Sequence, residues 1–418
     1  MKTDICVIGA GYVGLPLALA FSKKYKTTVY THSSGHADEL KSGKDRTENF
    51  SALELKESTL GITSDIEDVR LANIYIITVP TPVDENMKPD ISAIVNATTT
   101  VASVLKQGDI VVYESTVFIG CTEELCAPLL QKKSGLIYNK EFFCGYSPER
   151  INPSDTEHTI ESVVKIVSAS TPDTTKKLVT LYQSIVKAGI HEAPSIKVAE
   201  ASKLLENIQR DVNIALMNEL SALYTKIGIH TNDVIDAAST KWNFNAYRPG
   251  LVGGHCIGVD PYYLLYNARQ KSISMPIIEE ARSTNENVPH RIIQEIETHL
   301  SQKKRRLENS SVLLLGITFK ENCNDIRNSK SVTLYNQLLS KKAFVDFVDP
   351  VADKKEVKDT YGITLLQTLP KEKKYDIIIV SVAHEQFKSF AWDTLKKEGG
   401  TLFDIKNIVA KESKDLTL

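Results

Sequence analysis

The sequence feature that most constrains the fold is a glycine turn near the amino end of the chain. Ile5-Cys6-Val7-Ile8 is a β-prone run, Gly9-Ala10-Gly11-Tyr12-Val13-Gly14 follows at once, and Leu15 to Phe21 has the composition of a buried helix. A strand, a G-x-G-x-x-G turn and a helix in direct succession are typical of a dinucleotide-binding βαβ unit. The glycines permit the turn and the approach of a pyrophosphate, and the helix N-terminus binds its phosphates. We therefore predict a dinucleotide cofactor.

The end of the second predicted strand bears on which dinucleotide binds. An acidic residue is expected after Thr27 to Tyr30, where it would bond the adenosine ribose. Thr31 stands there instead, and residues 31–34 contain no Asp, Glu or Arg. We expect NAD as the cofactor, but the missing carboxylate leaves NADP as an open alternative.

Three further strand ends carry polar side chains of the kinds that ligands need. In an open parallel sheet, ligands bind at the carboxyl ends of the strands. We therefore expect these segments to form a wall of the binding site, although each alone could be a simple loop. They are Thr78-Val79-Pro80-Thr81-Pro82, Glu114-Ser115-Thr116-Val117 and Ser147-Pro148-Glu149-Arg150.

The second half of the chain predicts the rest of the architecture. Residues 196–227 lack Gly and Pro and repeat apolar residues at helical spacing, which predicts one long helix. From residue 311 onward β and α patterns alternate again, which predicts a second parallel sheet without a dinucleotide turn. The predicted fold class is α/β, with two Rossmann-like doubly wound parallel-sheet domains joined by a long central helix. The predicted domains are 1–195, 196–300 and 301–418.

A loop at residues 249–261 carries a thiol and a carboxylate, Cys256 and Asp260, among four glycines and two prolines. Such a backbone approaches another group closely, and a cysteine within it is more accessible than one in an apolar strand. The six cysteines show no metal-ligand spacing, so we predict no metal and expect reduced thiols in the cytoplasm.

Charge and hydropathy exclude two classes of partner. The formal net charge is -2 with no long block of one sign, which argues against a nucleic-acid partner. The longest apolar runs are shorter than about ten residues, too short to cross a bilayer. We therefore expect neither a nucleic-acid nor a membrane partner.

Taken in order, the motifs resemble those of the nucleotide-sugar (UDP-glucose/UDP-mannuronate) dehydrogenase family over nearly the whole chain. The segment 248–264 is most similar to the branch that oxidises UDP-N-acetylhexosamines for bacterial surface polysaccharides, in capsule or O-antigen. The motifs that carry the resemblance are Gly9 to Gly14, Thr78 to Pro82, Tyr113 to Val117, Gly145 to Arg150, Glu200 to Asn207, Gly253-Gly254-His255-Cys256, and Thr318 to Glu321 with Arg327.

The resemblance implies a four-electron oxidation of a C6 alcohol to a carboxylate, with two dinucleotides used in sequence. UDP-GlcNAc or UDP-GalNAc is the favoured substrate, and UDP-ManNAc and UDP-glucose are alternatives. Cys256 would trap the intermediate aldehyde as a thiohemiacetal, whose oxidation gives a thioester that water hydrolyses. The other implied catalytic residues are Lys203 and Asn207 as oxyanion donors, Asp260 as the base or its helper, and Thr116 and Glu149 for water or protons.

The same resemblance assigns binding residues and a homodimer formed through the central helix. Together with the glycine turn, the predicted cofactor-binding residues are Gly9, Gly11, Tyr12, Val13, Gly14, Thr31, Thr78, Pro80, Thr81, Ser115, Thr116 and Arg327. The predicted residues for the UDP-sugar substrate are Glu149, Arg150, Lys203, Asn207, Arg248, Gly250, Gly253, Gly254, Phe319 and Lys320, with Arg327 also on the diphosphate.

Two other functions compete with this reading. A two-electron dehydrogenase of the hydroxyacid or 6-phosphogluconate type uses a Lys and an Asn on the long helix but needs no cysteine. A non-catalytic nucleotide-sugar-binding protein would have lost catalytic residues. Since Lys203, Asn207, Cys256 and Asp260 are all present, the four-electron dehydrogenase is favoured. Two reduced cofactors per sugar would separate it from the two-electron enzyme.

Overall fold

A computed structural model describes residues 3–47, 49–151, 157–370 and 372–418. The chain forms two compact units. Unit 1 comprises Met1–Glu206 and Tyr262–Ile273, and unit 2 comprises Asn207–Pro261 and Ser274–Leu418. The three-domain division stays a prediction.

The helices of the described chain fall between or beside the strands, as alternating β and α patterns predict. A π-helix covers Cys121–Cys126, and 3-10 turns cover Ile66–Val69 and Glu385–Ser389. The α-helices are α1 (Gly14–Ser22), α2 (Ser34–Lys41), α3 (Ala52–Glu57), α4 (Ser92–Ala102), α5 (Ala127–Ser134), α6 (Pro172–Gln183), α7 (Ile196–Ile227), α8 (Thr231–Ala238), α9 (Asp260–Gln270), α10 (Pro276–Gln302), α11 (Lys330–Ser340), α12 (Lys354–Tyr361) and α13 (Trp392–Leu395).

Unit 1 is built on an eight-stranded sheet. Its strands are β1 (Asp4–Ile8), β2 (Lys26–Tyr30), β3 (Gly61–Thr63), β4 (Ile74–Ile77), β5 (Ile110–Tyr113), β6 (Phe143–Tyr146), β7 (Lys165–Ala169) and β8 (Ile190–Glu192). They lie in the order β3-β2-β1-β4-β5-β6-β7-β8. Neighbours pair in parallel apart from β6 and β7, which are antiparallel.

The core of unit 1 covers both faces of this sheet. Alternate residues of a strand point to opposite faces, so Tyr75 and Ile77 pack in one apolar cluster with α4 and α5, while Ile76 packs in another with α1 and α6. Burial on both faces explains why the central strands read as continuous apolar runs.

Unit 2 has a five-stranded sheet whose strands all pair in parallel. The strands are β9 (Ser311–Leu315), β10 (Phe344–Val348), β11 (Tyr375–Val380), β12 (Lys396–Asp404) and β13 (Leu416–Thr417), in the order β10-β9-β11-β12-β13. Helices α10 and α11 cover one face, and Phe387 and Trp392 belong to the cluster on the other. The predicted fold class is confirmed: two Rossmann-like parallel-sheet regions with a long helix, α7, between them in sequence.

Most predicted elements agree with the structure to within a few residues. The long helix covers Ile196–Ile227 as predicted. The loop predicted at 249–261 is two residues too long, because α9 begins at Asp260. Pro261 occupies the first turn of that helix, where its missing N–H leaves no intrahelical bond unmade.

Candidate active site

The glycine turn of unit 1 has the geometry that a dinucleotide needs. Gly9 has φ +106°, a conformation that residues with a Cβ rarely adopt. A Cβ at Gly14 would lie 2.0 Å from the Gly9 carbonyl oxygen, so only glycine lets α1 pack this closely on the turn. A Cβ at Gly11 would meet nothing within 4 Å, which leaves this face of the turn open to a ligand.

Helix α1 begins with first-turn N–H groups that no side chain caps, and it has no acidic residue in its first turn. Such a helix end binds anions through its N–H groups and its dipole. The turn and the helix therefore fit a dinucleotide pyrophosphate.

The end of β2, where we predict contact with the adenosine ribose, carries no charge. Thr31 is buried, and its hydroxyl lies 3.4 Å from Nδ1 of His36. Burial, together with the nearby Arg46 cation, lowers the pKa of His36 below its ordinary value, so the ring is neutral at pH 7. Thr31 and His36 therefore neither repel nor attract a 2′-phosphate.

The hydroxyl groups of Thr78 and Ser115 bond backbone carbonyl groups at the carboxyl ends of the strands of unit 1. The Thr78 hydroxyl lies 3.0 and 3.1 Å from the carbonyl oxygens of Ile8 and Gly9, so it holds the glycine turn itself. The Ser115 hydroxyl donates to the Val79 carbonyl oxygen at 2.6 Å. The predicted segments at the ends of β4 and β5 are thus joined to each other within unit 1.

Glu149 belongs to a buried charge cluster that the sequence analysis missed. The Lys165 ammonium lies 2.6 Å from Glu114 and 3.0 Å from Glu149, and the hydroxyl of Tyr182 donates to Glu114. Burial raises the pKa of Glu114 to about 7, although the Lys165 charge opposes this. The sequence signal that could have identified this cluster is Lys165, the one charged residue of the strand 165–169.

The second oxygen of Glu149 is also engaged, because it accepts the backbone N–H groups of Arg150 and Ile151 at 2.8 and 2.7 Å. Burial would raise the pKa of Glu149, but Lys165 and these N–H donors hold it below the ordinary value. The carboxylate is therefore ionised and fixed in place.

Helix α7 carries Lys203 and also an ion-pair partner of Arg150. Arg150 pairs with Glu206 at 2.8 Å, three residues after the half-buried Lys203. One turn earlier, the buried Glu200 accepts the N–H groups of Gly120 and Thr122 at 2.6 and 3.0 Å. The segment that contains Thr116 is thereby held on the same helix within unit 1.

Two of the predicted catalytic residues of unit 2 contact each other. The Asn207 amide donates to Oδ2 of Asp260 at 2.5 Å, and both side chains are buried. Cys256 is half-buried, and its carbonyl oxygen accepts the Asp260 N–H at 2.9 Å. Cys256 thus lies in the turn that leads into α9, four residues before Asp260 and on the side of the helix end that favours a negative charge.

His255, next to the thiol, carries a positive charge. Burial would lower its pKa, but hydrogen bonds to Asp325 and Cys256 outweigh this and raise the pKa to about 9. Asp325 also accepts hydrogen bonds from Nε and Nη2 of Arg327. The same Nη2 lies 3.1 Å from Nδ1 of His255. His255 is a residue that the sequence analysis quoted in a motif but gave no role.

The glycines of the thiol loop are needed for contacts within the protein. A Cβ at Gly253 would lie 2.5 Å from the Asn328 carbonyl oxygen, and one at Gly254 would lie 2.8 Å from the Phe319 ring. In unit 2 these glycines permit packing on the segment 319–328, and their contact with the UDP-sugar stays a prediction. A small cleft opens beside this contact, lined by Gly253, Phe319, Lys330 and Lys406 among others.

Arg248 and Lys320 are held in different ways in unit 2. The Arg248 guanidinium bonds Asn232 and Asp236 on α8 at 2.5 and 2.6 Å. The Lys320 ammonium lies 5.7 Å from the centre of the Phe319 ring, within cation–π range. Gly250 is bonded through its N–H to the side chain of Asn218.

The first turn of the unit 2 sheet is organised by a buried carboxylate. Asp349 follows β10, and its Oδ2 accepts the Ile317 N–H at 2.7 Å and lies 3.0 Å from Nε2 of His384. Burial would raise the pKa of Asp349, but its hydrogen bonds, above all to His384, hold it below the ordinary value. The His384 ring lies 3.1 Å from the Thr318 hydroxyl, so it fixes the start of the segment that contains Phe319 and Lys320.

The turn, the two sheets and the thiol loop define a nucleotide-sugar dehydrogenase, and the chain belongs to the UDP-glucose/GDP-mannose dehydrogenase family. The family's NAD binding domain matches residues 3–186, its central domain matches 197–287 and its UDP binding domain matches 313–411. The predicted family and NAD as the cofactor are therefore confirmed.

Individual relatives match along nearly the whole chain. The chain is 45% identical to UDP-N-acetyl-D-glucosamine 6-dehydrogenase of Pseudomonas aeruginosa over 99% of both chains. It is 44% identical to the Salmonella typhi protein of the same name, over 100% of this chain and 99% of that one. The structure of UDP-D-ManNAc dehydrogenase from Pyrococcus horikoshii is similar with a TM-score of 0.89 and 30% identity, over 98% of this chain and 96% of that one.

Proposed function

We propose that this protein is a UDP-N-acetyl-D-glucosamine 6-dehydrogenase that oxidises the C6 alcohol to the uronic acid in two steps. The observation that carries the proposal is the thiol loop. Cys256 lies four residues before the start of α9, the charged His255 is hydrogen-bonded to it, and the Asn207–Asp260 pair lies at the start of that helix. A two-electron dehydrogenase has no use for such a thiol.

The proposed chemistry needs a thiol because an aldehyde can lose a second hydride only from a tetrahedral adduct. When bound at the glycine turn of unit 1, NAD would supply the hydride acceptor for each of the two oxidations of C6. Between the steps, the Cys256 sulfur adds to the aldehyde carbon and forms a thiohemiacetal. After the second step the product is a thioester, and water displaces the Cys256 thiol to leave the carboxylate.

Each residue role in this scheme rests on charge and position. Lys203 and the Asn207 amide supply positive and hydrogen-bonding groups that suit an alkoxide. Asp260 accepts a proton from the alcohol or the attacking water. Thr116, at the end of β5, and Glu149, ionised and fixed, orient water and substrate.

The remaining assigned residues would hold the ligands. The turn at Gly9, Gly11, Tyr12, Val13 and Gly14 would bind the NAD pyrophosphate, with Thr31, Pro80 and Thr81 at its edges. Arg150, Arg248, Gly250, Gly253, Gly254, Phe319, Lys320 and Arg327 would bind the UDP-sugar.

Identity to the relatives favours the N-acetylglucosamine substrate. The two relatives named for UDP-N-acetyl-D-glucosamine are 45% and 44% identical. Relatives named for N-acetyl-D-galactosaminuronic acid or UDP-N-acetyl-D-mannosamine are about 29–31% identical. UDP-GalNAc is the second candidate, since both epimers were favoured by the loop resemblance.

The proposal is tested with UDP-GlcNAc, UDP-GalNAc, UDP-ManNAc and UDP-glucose, each with NAD and with NADP. Reduced cofactor is counted per sugar consumed. We expect the highest kcat/KM for UDP-GlcNAc with NAD and two NADH per sugar. One NADH per sugar would rule out the four-electron reaction.

Substitution of the nucleophile gives the largest effect on turnover. Cys256→Ser should lower steady-state uronate formation at least about 1000-fold, because an alkoxide is a poorer nucleophile and leaving group here. UDP affinity, measured by calorimetry, should stay within about twofold of wild type. Full activity in this variant would refute the role of Cys256.

We also propose a homodimer formed through α7. Five apolar residues of this helix are 46–66% exposed, and at about 100° per residue they fall within about 40° of one direction. They are Val198, Leu205, Leu216, Leu223 and Ile227. Light scattering should give twice the chain mass, and Leu216→Glu with Leu223→Glu should give the monomer.

We place the enzyme in the cytoplasm, where reduced thiols persist. The six cysteines are free, and Cys121 and Cys126 lie 4.0 Å apart without a disulfide. In the described part of the chain, no helix is long and apolar enough to cross a membrane.

A further inference from the structure

We propose that Asn218 and Arg282 are positioning residues that clamp the Cys256 loop through a buried polar network. Neither residue has a role in the proposed function, and the inference rests on that function for the importance of Cys256. The network joins α7, α10 and α11 within unit 2.

The amino end of the loop is held by Asn218. Its side-chain oxygen accepts the Gly250 N–H at 2.8 Å, and its amide donates to the Gly250 carbonyl oxygen at 3.1 Å. The same amide donates to the side chain of Asn285 at 2.8 Å. The Asn218 side chain therefore makes the two backbone hydrogen bonds with Gly250 that a neighbouring strand would make, although Asn218 lies on a helix.

The carboxyl end of the loop is held by Arg282. Its Nη1 donates to Oδ1 of Asp211 at 2.7 Å and lies 3.4 Å from the carbonyl oxygen of Ile257, the residue after the thiol. Its Nη2 donates to Glu286 at 2.6 Å. A guanidinium is suited to this task because it presents several donors in one rigid plane.

The two clamps are parts of one network. The Asn285 amide donates to Oδ1 of Asp211, which also accepts from Arg282. Asp211, Asn218, Arg282 and Asn285 are each no more than 2% exposed. A polar network buried this deeply is stabilising only when its members are bonded to one another, so it favours a single arrangement of the loop.

A third contact joins the network to the segment of unit 2 that packs on the loop. Glu286 accepts from Lys330, the first residue of α11, at 2.5 Å. Two residues earlier, Asn328 bonds Gly254 through its carbonyl oxygen and its side-chain amide. The loop is thus held at Gly250, Gly254 and Ile257, on both sides of Cys256.

The geometry points to a catalytic consequence. A thiolate must lie within van der Waals distance of the aldehyde carbon, and displacement of such a group by about 1 Å can cost about 100-fold in rate. Loosening either clamp should therefore lower kcat by a larger factor than it weakens binding of UDP, whose proposed contacts include Gly250 and Gly254, and should leave binding of NAD unchanged. A purely structural role would instead lower the stability of unit 2 and ligand affinity together.

The test compares Arg282→Lys and Asn218→Asp with wild type. The first keeps the cation and loses the rigid plane, and the second keeps the acceptor for the Gly250 N–H and loses both donors. We expect kcat to fall about 10- to 100-fold, with KM for the UDP-sugar and the affinity for UDP within about threefold. Hydrogen exchange should accelerate at least about tenfold at residues 250–258 and stay unchanged in β9, β10 and β11.

The matched control is Asp109→Asn, which removes a buried carboxylate that pairs with Lys106 at 3.1 Å at the amino end of β5. This variant should lower the unfolding midpoint with kcat and exchange at 250–258 unchanged. A kcat within threefold of wild type for Arg282→Lys, or exchange that accelerates throughout unit 2, would overturn the clamp. If wild type oxidises no UDP-sugar, the proposed function fails, and the exchange experiment still decides whether the clamp exists.

Discussion

Both sheets begin with a strand that leads into a glycine turn, but the helices that follow the two turns begin and are capped differently. In each, a first strand leads into a glycine with positive φ, +106° at Gly9 and +93° at Gly316. In unit 1 the helix starts at Gly14, and no side chain caps it. In unit 2 the helix starts only at Lys330, and Ser329 caps it.

The ends of the second strands complete the contrast. Unit 1 has Thr31 there, which adds no charge, whereas unit 2 has the buried Asp349. The Asp349 carboxylate accepts the N–H groups of Ile317 and Thr318 at 2.7 and 3.3 Å. A protein carboxylate thus binds the first-turn amides of unit 2, where a dinucleotide site offers such groups to phosphate. Shared topology therefore does not imply a shared ligand.

Among the changes that test this contrast, the largest expected effect is on the turn of unit 1. In Gly14→Ala the new Cβ would clash with the Gly9 carbonyl, and the turn must deform. The Kd for NAD should rise at least about 100-fold, about 2.7 kcal/mol, with UDP affinity unchanged in calorimetry. Gly108→Ala is the control, since it also replaces a glycine with positive φ but has open space around it. Unaltered NAD binding in Gly14→Ala would show that the cofactor does not use this turn.

The corresponding change in unit 2 should affect the other ligand. Asp349→Asn loses an ionised acceptor for buried donors and should cost about 3 kcal/mol in the free energy of unfolding. UDP affinity should fall about tenfold, because the segment with Phe319 and Lys320 is no longer fixed. Urea denaturation and calorimetry measure the two effects. NAD affinity that fell as strongly as UDP affinity would contradict the contrast between the turns.

The two units should also differ in their dependence on pH. The raised pKa of Glu114, about 7, means that the folded state holds its proton more tightly than the unfolded state. Its contribution to stability is present below the unfolded pKa and is lost as pH rises to about 7, at no more than about 1.4 kcal/mol per pH unit. Asp349 has a lowered pKa, so its contribution is present above about pH 4 and is lost as pH falls.

Glu114→Gln should therefore flatten the decline of the unfolding midpoint of unit 1 between pH 5 and 7, in the window set by the pKa of about 7. Hydrogen exchange in β5 measures the unfolding of unit 1 separately from that of unit 2. A slope that persists in the variant would assign the pH dependence to another group.

The smallest expected effect concerns the choice of dinucleotide. Thr31→Asp restores a carboxylate at the ribose position and should raise the KM for NADP about tenfold, while the KM for NAD changes less than threefold. Thr31→Ala should change both less than threefold, because the hydroxyl makes only a 3.4 Å contact with His36. Steady-state kinetics with both cofactors measure these values, and equal effects of Thr31→Asp on NAD and NADP would contradict a ribose contact.

Local sequence patterns predicted the main secondary-structure elements of this protein. The turn at Gly9 to Gly14 and the helix Ile196–Ile227 were readable because their signals lie within one segment of chain. Helix α9 was missed because the glycines and prolines of 249–261 obscure its start at Asp260.

The buried charges could not be predicted, because each depends on partners far away in sequence. Lys165 meets Glu114 across 51 residues, and Arg282 meets Asp211 across 71. A periodic pattern shows which face of a helix is apolar, but not which distant group neutralises a buried cation. The glycines at 253 and 254 illustrate the same limit, since their neighbours are Asn328 and Phe319.

Unit 1 includes a segment from the middle of the chain, Tyr262–Ile273. The Tyr263 hydroxyl lies 2.9 Å from the Thr81 carbonyl oxygen, and the Asn267 side chain bonds both the N–H and the carbonyl of Ile119. During synthesis on the ribosome, these contacts cannot form until Tyr263 and Asn267 have been added. All strands of the sheet precede residue 195, but unit 1 is completed only after the thiol loop has been synthesised, and a fragment that ends at residue 195 would lack the contacts of Tyr262–Ile273.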